Sequence, residues 1–418
     1  MNFWLFFVLA VIVAHFILDV VVARLNLKAL SPRLPDEFAD IYDPEDYRRS
    51  QHYTRVTTRF GLLQNSISTT VTVIFLVAGG FNSIDHLARS WVDGPIVTGL
   101  VFTALLILLS FLLGLPFSIY STFAIEARFG FNRTSPLTFF TDICKGLLVA
   151  LIIGGPLLAL LLWFFETGGE LAWLYCWLGV VVFGIVLQFL APVVIMPLFN
   201  KFTPLADGPL KERILAYVRQ QLFNIGGIYT MDGSKRSTKL NAFFTGFGRF
   251  RKIVFFDTLL DKLDDNEIVA VLAHEMGHFK QRHIWKMMAL SALQTGLLFF
   301  LLSLILENHG LFAAFRMDHV SIYASLVFFA FLYAPLNTLL GIGTNYISRR
   351  HEFSADRFAA KSTGRAESLA HALKRLSREN LSNLTPHPVA VAISYSHPPV
   401  VQRLEALRNL AMTVLPRR

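Results

Sequence analysis

Leu171-Ala-Trp-Leu-Tyr-Cys-Trp-Leu-Gly-Val-Val-Val-Phe-Gly-Ile-Val-Leu-Gln-Phe-Leu-Ala-Pro-Val-Val-Ile-Met196 runs for 26 residues without a charged side chain. A helix needs roughly 20 apolar residues to cross about 30 Å of hydrocarbon, so this stretch reads as a membrane span. Six others read the same way: Phe3 to Val22, Phe60 to Phe81, Ile96 to Tyr120, Gly146 to Phe165, Met288 to Leu306 and Ile322 to Gly343. The first has no positive n-region and no small-residue cleavage site before Arg24, which makes it a retained helix rather than a signal peptide. The whole composition agrees. Of 418 residues, 54% are hydrophobic, 39 are Phe and only 16% are charged, against about 25% charged in a soluble domain. The mean hydropathy is +0.51. An ordinary cytosolic enzyme, a disordered chain and a collagen-like fibre are excluded. Two cysteines, Cys144 and Cys176, leave no room for a disulfide framework or a cysteine-built metal site. The net charge of +9 is not gathered into a tail or one basic helix, so no nucleic-acid partner is expected. The fold class is an all-α polytopic membrane protein with seven transmembrane helices.

The Lys and Arg distribution tests that count and orients it. Seven basic residues follow span one, three lie between spans three and four, fourteen between Pro197 and Lys286, and twelve after span seven. The alternate loops hold only Arg89 and Arg316. Thirty-six against two on alternating sides puts the N-terminus outside and the large loop and tail in the cytoplasm. Polar residues within or at the ends of spans, His15, Asp19, Gln64, Asn65, Gln188, Gln294, Asn337 and Asn345, are costly in lipid. An aqueous chamber or helix-to-helix hydrogen bonds would each account for them.

Two polar segments remain, Pro197 to Trp285 and Thr344 to Arg418. In the first, Asn241-Ala-Phe-Phe-Thr-Gly-Phe reads as a strand, Gly248-Arg-Phe-Arg as a turn and Lys252-Ile-Val-Phe-Phe-Asp as a second strand, together a small β-hairpin. Its edge could take an extended peptide by main-chain hydrogen bonds. Asp264-Asp-Asn-Glu267 then has capping-box spacing, and Ile268 onward carries apolar residues at helical positions. The helix leads into His274-Glu275-Met276-Gly277-His278. Four-residue spacing sets both imidazoles on one face, able to reach a single Zn2+, while Glu275 can reach the fourth, water-filled position as general base.

A catalytic zinc wants a third protein ligand. A metzincin would need Gly and His at positions occupied by Gln281 and Ile284, which excludes that class. Arg349-Arg-His-Glu-Phe-Ser-Ala-Asp356 supplies Glu352 and Asp356 four apart on one helical face. Glu352 is taken as the third ligand, with Asp356 behind it accepting a hydrogen bond from a ligand imidazole. His351 is the rival ligand, turned by its position to another face.

These residues resemble the CAAX prenyl endopeptidases, integral-membrane zinc metalloproteases of the gluzincin type. Glu126-Ala-Arg-Phe-Gly-Phe-Asn-Arg, Pro197-Leu-Phe-Asn-Lys-Phe-Thr-Pro-Leu, Leu240-Asn-Ala-Phe-Phe-Thr-Gly, Phe256-Asp-Thr-Leu-Leu and Ser396-His-Pro-Pro look like that family's signatures, in its order. The resemblance implies seven transmembrane helices around a water-filled chamber, with a gluzincin-like zinc metalloprotease domain at the cytoplasmic end. It also implies that Asn241 and His397 hold substrate or stabilise the tetrahedral intermediate, as preorganised donors can. A strand-end polar residue and a rigid turn are the plainer readings of the two. Arg403 resembles a family arginine near the site, or is a salt-bridging helix residue.

The sequence therefore divides into 1–196 with five membrane helices, 197–287 with the zinc motif, 288–343 with two more helices, and 344–418 with the third ligand. The expected activity is peptide hydrolysis with one Zn2+ per chain, on a peptide or protein substrate that is C-terminally prenylated or, in the alternative reading, a membrane protein subject to quality control. A scaffold or receptor has no need of Glu275, and a transporter would need more charge in mid-membrane than Asp19. The chain ends Leu-Pro-Arg-Arg without a dilysine, so the expected location is a bacterial inner membrane with the catalytic part cytoplasmic, or the endoplasmic reticulum membrane in a eukaryote.

Overall fold

The computed structural model describes residues 2–245 and 251–414. Among the described residues seven helices are long and apolar enough to cross a membrane, spanning Phe3–Lys28, Pro44–Val77, Pro95–Glu126, Pro136–Thr167, Gly169–Phe199, His283–Ser303 and Ile322–Thr363. In chain order the helical elements are α1 (Phe3–Lys28), α2 (Pro44–Val77), α3 (Gly80–Trp91), α4 (Pro95–Tyr120), α5 (Pro136–Val149), α6 (Gly155–Thr167), α7 (Ala172–Leu190), α8 (Met196–Phe199), α9 (Pro209–Gln220), α10 (Asp257–Leu260), α11 (Asp265–Lys280), α12 (His283–Ser303), α13 (His309–Ala314), α14 (Ile322–Thr363), α15 (Ala366–Glu379), α16 (Pro388–Ser394) and α17 (Val400–Val414). Wide π-type turns over Ser121–Glu126, Ala150–Gly154 and Ala191–Ile195 carry three of the spans past points where α-helical hydrogen bonding lapses. Side chains such as Leu151 and Val193 stand 70% and 64% exposed, an arrangement that lipid tolerates and water does not.

Several helices outrun their apolar windows. The second starts at Pro44, where the Asp43 side chain accepts from the Glu45 and Asp46 N–H groups, sixteen residues before the apolar stretch begins at Phe60. It ends at Val77 rather than Phe81, because Gly79 takes a left-handed conformation (φ +78°) that breaks the chain into α3. The last span is a single 42-residue helix, α14, about 63 Å long. It leaves the membrane and continues without interruption past Gly343 into the polar region, tying the two together mechanically.

The polar region folds around one core in which Ile253, Phe255, Leu259, Ile268, Leu272 and Met276 are nearly solvent-free. Its sheet is larger than the expected hairpin. β1 (Phe202–Pro204), β2 (Gly227–Met231), β3 (Ala242–Thr245) and β4 (Lys252–Phe256) lie in the order β1-β2-β4-β3. The expected pair is its outer half: β3 runs antiparallel to β4, with Ala242 opposite Phe255 and Thr245 opposite Lys252. The other half joins by a parallel β2–β4 pairing and an antiparallel β1–β2 pairing. The expected strand residues Gly246 and Phe247, and the turn at Gly248-Arg-Phe, lie outside the described residues. β1 and β3 are the edge strands of this sheet among the described residues, and β3 is the one that follows Asn241.

Candidate metal centre and active site

Helix α11 is fixed at its start by the capping box. Asp264 accepts from the Asn266 and Glu267 N–H groups at 2.8 and 2.9 Å, and Glu267 accepts from the Asp264 N–H at 2.9 Å. Three turns on, α11 packs flush against α14, because Gly277 has no side chain where a Cβ would sit 3.0 Å from the Ala355 Cα. This close approach brings His274 and His278 to Glu352.

His274 Nε2 lies 3.1 Å from His278 Nε2 and 3.4 Å from Glu352 Oε2, and His278 Nε2 lies 3.2 Å from Glu352 Oε1. Bonds of 2.0–2.1 Å to a tetrahedral zinc would set the donors roughly 3.3 Å apart. The three side chains therefore fit such an ion. They are the one His/Cys/Asp/Glu group among the described residues with donors clustered this way. Glu352 Oε2 is buried and accepts no hydrogen bond, leaving a lone pair that a cation would use. Charge agrees: the carboxylates of Glu275, Glu352 and Asp356 outnumber the single guanidinium of Arg403 beside them, which favours a cation at the site.

Behind the trio, Asp356 Oδ1 lies 2.8 Å from His274 Nδ1, which settles that ring's free nitrogen. Arg403, 7% exposed, donates to both oxygens of Asp356 at 2.6 and 2.8 Å and approaches Glu352 Oε2 at 3.4 Å. Burial opposes its charge, but the three carboxylates outweigh burial and hold Arg403 protonated. It is thus an ion-pairing helix residue, and the pairing lies within the cluster. Burial also works against a charged His274, yet the hydrogen bond to Asp356 and the nearby Glu352 carboxylate prevail and hold its metal-free pKa at about 9. Burial pushes the Glu275 carboxyl up, against the opposing pull of His274 and His278.

The trio opens on a cleft of about 680 Å3 that Asn241, Glu275, His397 and Arg403 also line. His397 reaches Glu352 Oε1 with Nε2 at 3.4 Å, while its Nδ1 pairs with Ser396 Oγ at 3.0 Å. Asn241 stands just before the edge strand. Its Oδ1 accepts from the Ala242 N–H, so the amide NH2 is the part left for a bound molecule. The rival ligand His351 is turned away, stacked on His283 with centroids 3.9 Å apart.

Several contacts here have no counterpart in the sequence reading. The Asn380 side chain pairs with both the N–H and the C=O of Leu240. Lys239, next in line, bonds Tyr53 Oη and Glu126 Oε2 at 2.9 and 3.0 Å, linking the strand to the Glu126-Ala-Arg segment. Arg236 donates to Asp142, Asn200 and the Phe199 carbonyl, which roots Pro197-Leu-Phe-Asn. His283 touches the back of His278. Arg236, Lys239, His283 and Asn380 all lie outside the quoted signatures, and no local pattern announces these bonds.

Comparison with known proteins covers almost the whole length of the chain. Residues 23–201 match the CAAX prenyl protease N-terminal family, with its five membrane helices, and residues 204–411 match peptidase family M48. A CAAX prenyl protease 1 homolog of Arabidopsis thaliana is 35% identical over 384 residues, 90% of each chain. CAAX prenyl protease 1 of Saccharomyces cerevisiae is 35% identical over 411 residues, covering 91% of this chain and 89% of its own. The crystal structure of Ste24p from S. mikatae superposes with a TM-score of 0.92 at 33% identity, over 97% of this chain and 99% of that one.

Proposed function

The chain belongs to the CAAX prenyl protease family of M48 peptidases and is a multi-pass membrane zinc metalloendopeptidase; from that premise we propose which residues do the work and what they cut. His274, His278 and Glu352 hold one Zn2+, and the observation that carries this is the 3.1–3.4 Å spacing of their donor atoms beside Glu275. A bound zinc supplies Lewis-acid polarisation of a carbonyl and lowers the pKa of water. Glu275, raised by burial, takes a proton from the attacking water and returns it to the leaving amine. Asp356 fixes the tautomer of His274, and Arg403 keeps Asp356 and Glu352 ionised in a buried place. Asn241 and His397 present donors to the developing oxyanion from the cleft wall. The peptide lies along β3 as an added strand, and Asn380 closes that edge at Leu240.

The proposed substrate is a peptide with a prenylated C-terminus, supported by the names its relatives bear. A quality-control protease indifferent to the lipid is the second reading, with less support from those names. The catalytic region, 197–287 with 344–418, faces the cytoplasm, as the ten-to-two division of Lys and Arg over the short loops supports. The membrane proposed is the bacterial inner membrane. Cleavage of a farnesylated CAAX peptide and its unprenylated twin by the detergent-purified chain tests the substrate, with Glu275→Gln as the control. A preference for the farnesylated peptide, abolished in Glu275→Gln while zinc stays bound, is expected. Equal cleavage of both peptides would favour the second reading, and an active Glu275→Gln would overturn the mechanism.

A further inference from the structure

Behind the donor trio lies a layer of imidazole. His278 turns Nε2 toward His274 and Glu352 and presents Nδ1 to Nδ1 of His283 at 3.1 Å. His283 is the first residue of α12 and is 3% exposed. It reaches back to α11 because Arg282 adopts a left-handed backbone, φ +57° and ψ +33°, which is uncommon for a residue with a Cβ. From α14, His351 lies flat against it, the rings 9° apart at 3.9 Å.

We propose that His283 is the positioning residue for His278, fixing its tautomer and ring plane by accepting its Nδ1 hydrogen, with His351 backing the acceptor. The inference rests on the reading of His278 as a metal ligand. Two ring nitrogens that face each other at this distance bond only if one bears a hydrogen and the other is bare. Ligation needs a bare Nε2, so the hydrogen of neutral His278 sits on Nδ1. His283 Nδ1 must then be bare and its hydrogen must sit on Nε2. Both tautomers are thereby set. Ligand imidazoles commonly direct the second N–H to a carboxylate, carbonyl or water, as His274 does with Asp356. On His278 the acceptor is uncharged, so it orients the ring without adding a fourth negative charge to a cluster that already holds three carboxylates. The parallel stack with His351 restrains rotation of the His283 ring.

The test is zinc affinity of the full-length detergent-purified chain, by competition with a chromophoric chelator at fixed pH. His283→Phe keeps an aromatic face for His351 but has no acceptor; His283→Asn offers an amide oxygen near the place of Nδ1. Loss of such an outer partner weakens metal binding by about 10–100-fold, and that is expected for His283→Phe, with His283→Asn staying within about tenfold of wild type. Wild-type affinity in His283→Phe, or equal losses in Phe and Asn, would overturn the proposal. Should the Phe variant fail to fold, judged by its thermal melt, His283→Leu gives the same contrast. Glu352→Ala is measured alongside. Zinc retained there would sink the ligand assignment itself, whereas a zinc-free Glu352→Ala beside a wild-type-like His283→Phe would sink only the role of His283.

Discussion

A proton competes with zinc for His274. In the metal-free protein its pKa stands at about 9, against an ordinary 6.5, because Asp356 Oδ1 and Glu352 Oε2 sit 2.8 and 3.4 Å from its two nitrogens. A metal ligand must be neutral, so at pH 7 a zinc bound as proposed has to displace a proton from this ring. Zinc affinity should therefore rise about tenfold per pH unit from 6.5 to 9, roughly 300-fold in all, and level off above. An imidazole of ordinary pKa would level off near pH 6.5. Stability of the metal-free protein runs the other way. Its native pKa is the raised one, so the contribution is complete below pH 6.5 and is lost as pH climbs through 9, on the order of 3 kcal/mol. Chelator competition across pH 6–9.5, with thermal melts of the apoprotein in parallel, reads both slopes. Asp356→Asn removes the main carboxylate partner and should move the plateau to lower pH. Affinity that is flat above pH 7 in wild type would mean that zinc displaces no proton from His274.

Other perturbations reach the frame around the site. Arg403→Ala leaves Asp356 buried without its bidentate partner, and about 3–5 kcal/mol of stability should go with it, seen as a lowered thermal midpoint. Gly277→Ala puts a Cβ at 3.0 and 3.1 Å from Ala355 backbone atoms and 3.2 Å from Phe358 Cβ. Neither backbone atom can easily give way, so a cost of about 1–3 kcal/mol and weaker zinc binding are expected together. Asp85, fully buried, accepts from Tyr323 Oη and from Arg89 Nε at 2.8 Å. Asp85→Ala should cost stability on the scale of about 3–5 kcal/mol while kcat measured below the melting range stays unchanged, since among the described residues no direct contact joins this cluster to the proposed metal centre.

What could be read from the chain alone follows from what local pattern encodes. Spans announce themselves by twenty apolar residues, and the zinc helix by its Asp264–Glu267 cap and the His274/His278 spacing, all within one helix. β1 and β2 did not show, because β1 is three residues ending in Pro204 and β2 gains its place by parallel pairing with β4, a contact without local periodicity. His283 was missed for a similar reason: five residues from His278, it returns only through the left-handed Arg282. Apolar windows also understate helices that leave the bilayer, since the hydropathy of α2 and α14 falls where their hydrogen bonding does not. Pro335 sits inside α14 without ending it, as neighbouring helices in a membrane protein permit. For the polar residues of the spans, helix contacts account for several. Asn65 donates to Asp19, Gln294 to Thr344 and Asn345 to the Ile393 carbonyl.

The most direct test of the metal site is a crystallographic anomalous difference map of the full chain collected at the zinc edge. One peak per chain is predicted, about 2.0–2.2 Å from His274 Nε2, His278 Nε2 and a Glu352 oxygen, and absent from Glu352→Ala. No peak in wild type, or a peak held by His351 or Asp356 in place of Glu352, would contradict the account.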